Sequence, residues 1–246
     1  MNGLGILAAL AAESRALGTA RGGPGEAATL ADGSLLVLSG IGPRAATEGA
    51  RRLIAAGARA LISWGMAGGL DPSLAAGCVV LPREVLSREG KSFATEPGWH
   101  AAVAQLIATR LALSTGRLLS SPEPLGSIAA KAEAFRRSAA VAVDMESAAV
   151  AEVASDARLP FLAVRAIVDT ANDTVPQAAL AAAGIDAAGV RVAKLLVALA
   201  RAPRELAPLM RLGGRYRSAL RALRVIARSG SLAPPLPAGA SGTALG

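Results

Sequence analysis

Short runs rich in Val, Ile and Leu recur along the chain between longer segments whose apolar residues repeat at helical spacing. Residues 5–10, 35–38, 60–63, 78–81, 117–120, 141–143 and 161–168 read as strands, and 44–56, 100–113, 127–137 and 145–155 read as helices. This alternation predicts a three-layer α/β fold, a largely parallel, mixed central sheet with helices on both faces. The largely apolar run 161–168 fits a strand covered on both sides. A further helix is expected after Pro176, whose fixed φ suits a first turn, running to about residue 200, with Pro203 and Pro208 closing the body.

Beyond the body the pattern changes. Tyr216, Ala219, Leu220, Leu223, Ile226 and Ala227 fall on one face of a helix at ~100° per residue, and Arg217, Arg221, Arg224 and Arg228 fall on another. Such a helix has about four turns and is roughly 21 Å long. Gly213 and Gly214 separate it from a short apolar segment at 206–212. Residues 229–246 are almost wholly Ser, Gly, Ala, Pro and Leu, without charge or period, which predicts disorder. The chain thus divides into a body over 1–200, a basic amphipathic extension over 201–228 and a tail over 229–246.

Composition narrows the chemistry. With 52% hydrophobic but only 2% aromatic residues, the core of this 246-residue chain has to be built from Ala, Val, Leu and Ile. One cysteine, Cys78, excludes an internal disulfide framework, and one histidine, His100, leaves too few soft ligands for a zinc site, so no metal is expected. His100 lies in a polar stretch that reads as a loop or helix start, which argues against Ser-His-Asp and Cys-His catalysis and leaves acid–base work to carboxylates. The formal charge is +8, but residues 201–246 hold eight arginines and one glutamate, so the body is nearly neutral. The apolar N-terminus lacks a basic flank and a small-residue cleavage site, and 178–200 contains Asp186, Arg191 and Lys194. Neither predicts a membrane span, and the chain is expected to be cytoplasmic.

In a parallel sheet, ligands bind outside the carboxyl ends of the strands. The unusual residues fall there: Glu13 after the first strand, Ser39-Gly40-Ile41-Gly42 after the second, Gly65-Met66-Ala67-Gly68-Gly69 after the third, then Asp144-Met145-Glu146, and Asp169 after the last. Singly, each has a structural reading. Asp144 would cap the following helix, Glu146 would favour its dipole, Asp169 with Asn172 and Asp173 would form a turn, and the glycines would be turns too. Their joint placement on one sheet edge is what makes them candidate site residues.

The ordered motifs Ala8-Ala9-Leu10-Ala11-Ala12-Glu13, Ser39-Gly40-Ile41-Gly42, Gly65-Met66-Ala67-Gly68-Gly69-Leu70, Val143-Asp144-Met145-Glu146-Ser147 and Arg165-Ala166-Ile167-Val168-Asp169 resemble the purine nucleoside phosphorylase and methylthioadenosine/S-adenosylhomocysteine nucleosidase superfamily over about residues 4–200. Within it, Pro203-Arg204-Glu205-Leu206 and Arg215-Tyr216-Arg217 make the chain look most like the hopanoid-associated phosphorylases. The resemblance implies cleavage of a nucleoside N-ribosyl bond, with release of adenine from adenosylhopane, a lipid-linked nucleoside, in hopanoid biosynthesis. It implies that Asp169 protonates the departing purine at N7, that Glu146 accepts from the ribose hydroxyls, and that Met145 packs on the sugar. Met66, Gly68, Gly42 and Asp144 are the further substrate contacts it suggests. In the hydrolytic branch Glu13 orients water. In the phosphorolytic branch phosphate is a co-substrate and Arg44 is its candidate contact, although the Gly-Asp-Pro-Leu-Arg motif is missing. Met66 stands where the nucleosidases have Ser, and Ser121-Pro122-Glu123-Pro124-Leu125 lacks the family's base-contacting aromatic. A homo-oligomer is implied as well, and no cofactor.

Two other functions stay open: a soluble methylthioadenosine/S-adenosylhomocysteine nucleosidase, and a membrane-recruited nucleoside-binding module without strong turnover. The extension has three readings, packing on the body, docking on an anionic membrane through Arg217, Arg221, Arg224 and Arg228 with its apolar side in the acyl boundary, or binding nucleic acid. A lipid substrate favours the membrane, and the scarcity of aromatics disfavours nucleic acid.

Overall fold

One long strand organises the sheet. In the computed structural model, which describes residues 3–18, 27–175, 206–230 and 232–234, β4 (Ala60–Gly69) pairs in parallel with β1 (Leu4–Ala8) along one edge and with β11 (Phe161–Asp169) along the other. β1 leaves that edge after Ala8↔Trp64, and β10 (Ala142–Asp144) enters it in antiparallel register at Val143↔Gly68 and Ala142↔Gly69. Residues 65–67 therefore face a gap between two partner strands.

On one side the sheet continues through β3 (Leu35–Leu38) to β2 (Ala27–Thr29), and beyond β10 it continues through β9 (Leu118–Ser120) and β6 (Glu84–Ser87) to β7 (Ser92–Ala94). β5 (Val79–Val80) and β8 (Leu113–Ser114) extend it from β11. The sheet is mixed, with parallel pairs at its centre. Alternation along β4 builds both cores, as the period of two requires. Ala60, Ile62 and Trp64 pack with α1 (Ala11–Ala16), α3 (Pro97–Ala108) and α6 (Leu206–Ala227), whereas Leu61 and Ala67 pack with α2 (Pro43–Ala55) and α5 (Ser147–Asp156). α4 (Ile128–Ser138) covers a smaller cluster around Leu70, Ala140 and Val143.

Several expectations need correction. The run 65–69 is not a loop but the second half of β4, because residues 65–68 pair with β11 and Gly68 and Gly69 pair with β10. Strands β2, β6, β7 and β8 have no expected counterpart, being short and in part polar. His100 is buried within α3, its Nε2 2.9 Å from Leu81 O, which satisfies a polar group in the core. The extension is no appendage over its described part: α6 runs unbroken through Gly213 and Gly214, with Pro208 in its first turn where the missing N–H is harmless. Leu220, Leu223 and Ile226 are buried in the main core, while Arg217, Arg221, Arg224 and Arg228 are exposed. The apolar face thus lies in protein and is not free to enter an acyl boundary. The tail is ordered at its start, where Leu232 is buried and its carbonyl accepts from Trp99 Nε1 at 2.9 Å. The helix expected after Pro176 and the tail beyond residue 234 lie outside the described residues. Among those described, no helix is long and apolar enough to cross a membrane.

Candidate active site

Glu13 fills the gap in the sheet edge. It stands in the first turn of α1, buried, and its Oε1 accepts from Met66 N at 2.9 Å, taking the place of a strand partner for β4. Its Oε2 accepts from Leu10 N, also at 2.9 Å. Burial pushes the Glu13 carboxyl above its usual range, and the Arg165 charge and these N–H bonds pull it back. Gly65 makes the approach feasible: a Cβ there would lie 2.5 Å from Arg165 Nη1 and 2.6 Å from Glu13 Oε1.

Arg165 interrupts the apolar run of β11 and is 1% exposed. Its Nη2 is 2.5 Å from Asp144 Oδ2, 3.9 Å from Glu146 Oε2, and donates to Ser63 Oγ at 2.6 Å and Ser147 Oγ at 3.0 Å. Asp144 also accepts from Ser147 N at 3.1 Å, capping α5 as its structural reading requires. Glu146 Oε1 accepts from Gly42 N at 2.8 Å, where Gly42 opens α2 with a φ of 97° that favours glycine. Burial first, and the Asp144 charge second, lift the Glu146 carboxyl from 4.5 to about 7 against the pull of Arg165 and the Gly42 N–H. Three carboxyls thus share one guanidinium.

Asp169 ends β11 directly behind Gly68, whose added Cβ would stand 3.2 Å from Asp169 Oδ2. Its carboxylate pairs with the fully buried Lys131 of α4. Burial raises the Asp169 carboxyl, and the charge and hydrogen bond of Lys131 oppose that rise.

A cavity of about 250 Å³ lies over these groups. Glu13, Asp144 and Glu146 line it with Met66, Gly68 and Met145, while Ile41, Leu125, Val168 and Tyr216 supply apolar walls. Among the described residues, the charged ones lining it are Glu13, Glu123, Asp144 and Glu146, all acidic. Asp169 and Gly42 lie just behind the wall, each bonded to or against a lining residue. Arg44 is not brought to the site: it is exposed on the first turn of α2 and absent from the lining. Among the described residues no cluster of His, Cys, Asp and Glu could hold a metal.

The family model of the phosphorylase superfamily matches residues 5–201. The chain belongs to this superfamily. Among similar solved structures, the Campylobacter jejuni 5′-methylthioadenosine/S-adenosylhomocysteine nucleosidase is 18% identical, with a TM-score of 0.67 over 92% of this chain and 97% of that one. The Neisseria meningitidis nucleosidase, in complex with methylthio-immucillin-A, is 21% identical, with a TM-score of 0.65 over 92% and 98%. Futalosine hydrolase of Helicobacter pylori is 17% identical, with a TM-score of 0.65 over 91% and 96%. Identities this low establish the shared fold, and membership makes the chain an enzyme of glycosidic-bond cleavage.

In this superfamily member, three site residues escaped the sequence reading. Arg165 had a signal, a cation inside an otherwise apolar strand, which demands buried counter-charges. Lys131 and Tyr216 had none, because their partners lie far away in sequence.

Proposed function

We propose that the chain hydrolyses the N-ribosyl bond of a purine nucleoside whose 5′ substituent is apolar. The observation that carries this is that, among the described residues, the charged groups lining the cavity are all acidic. Carboxylates repel phosphate but stabilise the positive charge that grows on the sugar as the bond breaks. The nearest cation, Arg165, is committed to Asp144 and Glu146. Water therefore serves as nucleophile, oriented by Glu13. Glu146 accepts from the ribose hydroxyls, Met145 and Met66 pack on the sugar and its 5′ side, and Asp169 passes a proton to the purine at N7.

The resemblance to the hopanoid-associated enzymes makes adenosylhopane the substrate to test first. The apolar walls at Ile41, Met66, Leu125 and Tyr216 suit a greasy substituent. The exposed arginines of α6 suit docking on anionic lipid by charge alone, since the apolar face is buried. One observation favours the second reading, a methylthioadenosine-type nucleosidase: about 250 Å³ holds a nucleoside and a small tail. Adenine release from both substrates, with and without phosphate, tests the proposal. An unphosphorylated ribose that keeps its 5′ substituent, formed at a rate indifferent to phosphate, is expected, and a rate that requires phosphate overturns the hydrolytic assignment. Asp169→Asn should lower turnover at least ~10²-fold with the fold intact. Binding without turnover of either nucleoside would favour a binding module.

A further inference from the structure

Lys131 is 0% exposed, and its Nζ meets three acceptors: Asp169 Oδ2, Thr170 O at 2.7 Å and Asp173 O at 2.9 Å. Two of these acceptors are carbonyls and the third belongs to a carboxyl group, and an ammonium with its three N–H donors satisfies all three. The Asp169 oxygen that receives it is then an acceptor, as a carboxylate is. A buried ammonium is costly unless it is paired, and Asp169 is its carboxylate partner. The other charges near Asp169 are already engaged. Asp173, on the loop after β11, is paired with Arg215 of α6, and Arg165, about 13 Å back along β11 by strand rise, is held by Asp144.

We propose that Lys131 is a positioning residue for the leaving-group step, holding Asp169 in place as a carboxylate and setting how tightly it binds a proton. This rests on the reading that Asp169 faces the departing purine. Asp169 takes a proton from solvent and passes it to N7 as the C1′–N9 bond breaks, and the bonding electrons leave with the purine. Asp169 is then a carboxylate again, and Lys131 keeps its three protons throughout. The lysine makes Asp169 a stronger acid at the expense of the fraction protonated, so it sets the alkaline limb of the pH profile.

Lys131→Met, Lys131→Arg and Asp169→Asn test the assignment. In Lys131→Met the alkaline limb of kcat/KM should move up by about one pH unit or more, the effect of losing an adjacent opposite charge, while Lys131→Arg should restore it. The ¹³C resonance of the Asp169 carboxyl, assigned by its loss in Asp169→Asn, provides a readout independent of activity. It should titrate as a carboxylate at neutral pH in the wild-type protein and shift its midpoint upward in Lys131→Met. A protonated Asp169 at pH 7 in the wild type, or equal midpoints in wild type and Lys131→Met, overturns the proposal. Should Lys131→Met not fold, the wild-type charge state and the Lys131→Arg midpoint decide. Absence of turnover on every nucleoside would refute the hydrolase reading and leave the titration to judge Lys131.

Discussion

Replacing Glu146 with Gln removes one proton-binding group from the most crowded part of the site. In the folded protein this carboxyl is lifted from 4.5 to about 7 by burial and by Asp144. The folded state therefore keeps a proton that the unfolded chain releases, and the resulting stability is complete below 4.5 and lost as pH rises through about 7. At about 1.4 kcal/mol per pH unit, the loss is about 3 kcal/mol across that window. Gln is neutral at every pH and keeps an oxygen for the Gly42 N–H, so Glu146→Gln lacks this loss. Urea unfolding of both proteins at intervals between pH 4 and pH 8 reads the difference directly. Asp169, whose charged neighbours are Lys131 and Asp173, is raised in both and cancels. The variant should match the wild type at acid pH and exceed it by up to about 3 kcal/mol at pH 8. Parallel curves would refute the reasoning. On the proposed reading, in which ribose hydroxyls donate to the Glu146 carboxylate, activity should move the other way and Glu146→Gln should lower kcat/KM.

Gly65→Ala would set a methyl 2.5 Å from Arg165 Nη1 and 2.6 Å from Glu13 Oε1. It should cost about 1–3 kcal/mol by overpacking and depress turnover by displacing Glu13, checked by thermal unfolding beside adenine release. Leu223→Ala empties a fully buried position of α6 and should cost about 2–5 kcal/mol. A melting temperature equal to wild type would show that α6 does not pack as described.

The sheet was legible because its central strands are apolar runs buried on both faces, as at 161–168. The boundaries of β4 were not. Glycines at 65, 68 and 69 look like turn residues, and only the registers with β11 and β10 show them as strand. The motif residues were legible as a cluster since strand ends converge: Glu13 and Glu146 line one cavity, and Asp169 stands against its wall at Gly68. Arg44 was a candidate only as a cation after a glycine turn, and its helix turn points it to solvent. Lys131 could not be read at all. Nothing in an alanine-rich helix marks which lysine will find a carboxylate 38 residues away.

The two cations the sequence reading passed over divide the electrostatic work of the site. Arg165 sits among Asp144, Glu146 and Glu13, and it cannot neutralise all three, so the cluster stays acidic toward the sugar. Lys131 meets one carboxylate and two carbonyls, so the base end of the site is balanced. A nucleoside bound across the cavity would thus meet uncompensated negative charge at the ribose and a matched ion pair at the purine. That asymmetry fits bond breaking in which the sugar becomes cationic while the base leaves neutral after taking a proton. The +8 of the whole chain plays no part in it. Arg217, Arg221, Arg224 and Arg228, which carry part of that excess, are exposed, and among the described residues of α6 it is Tyr216 that lines the cavity.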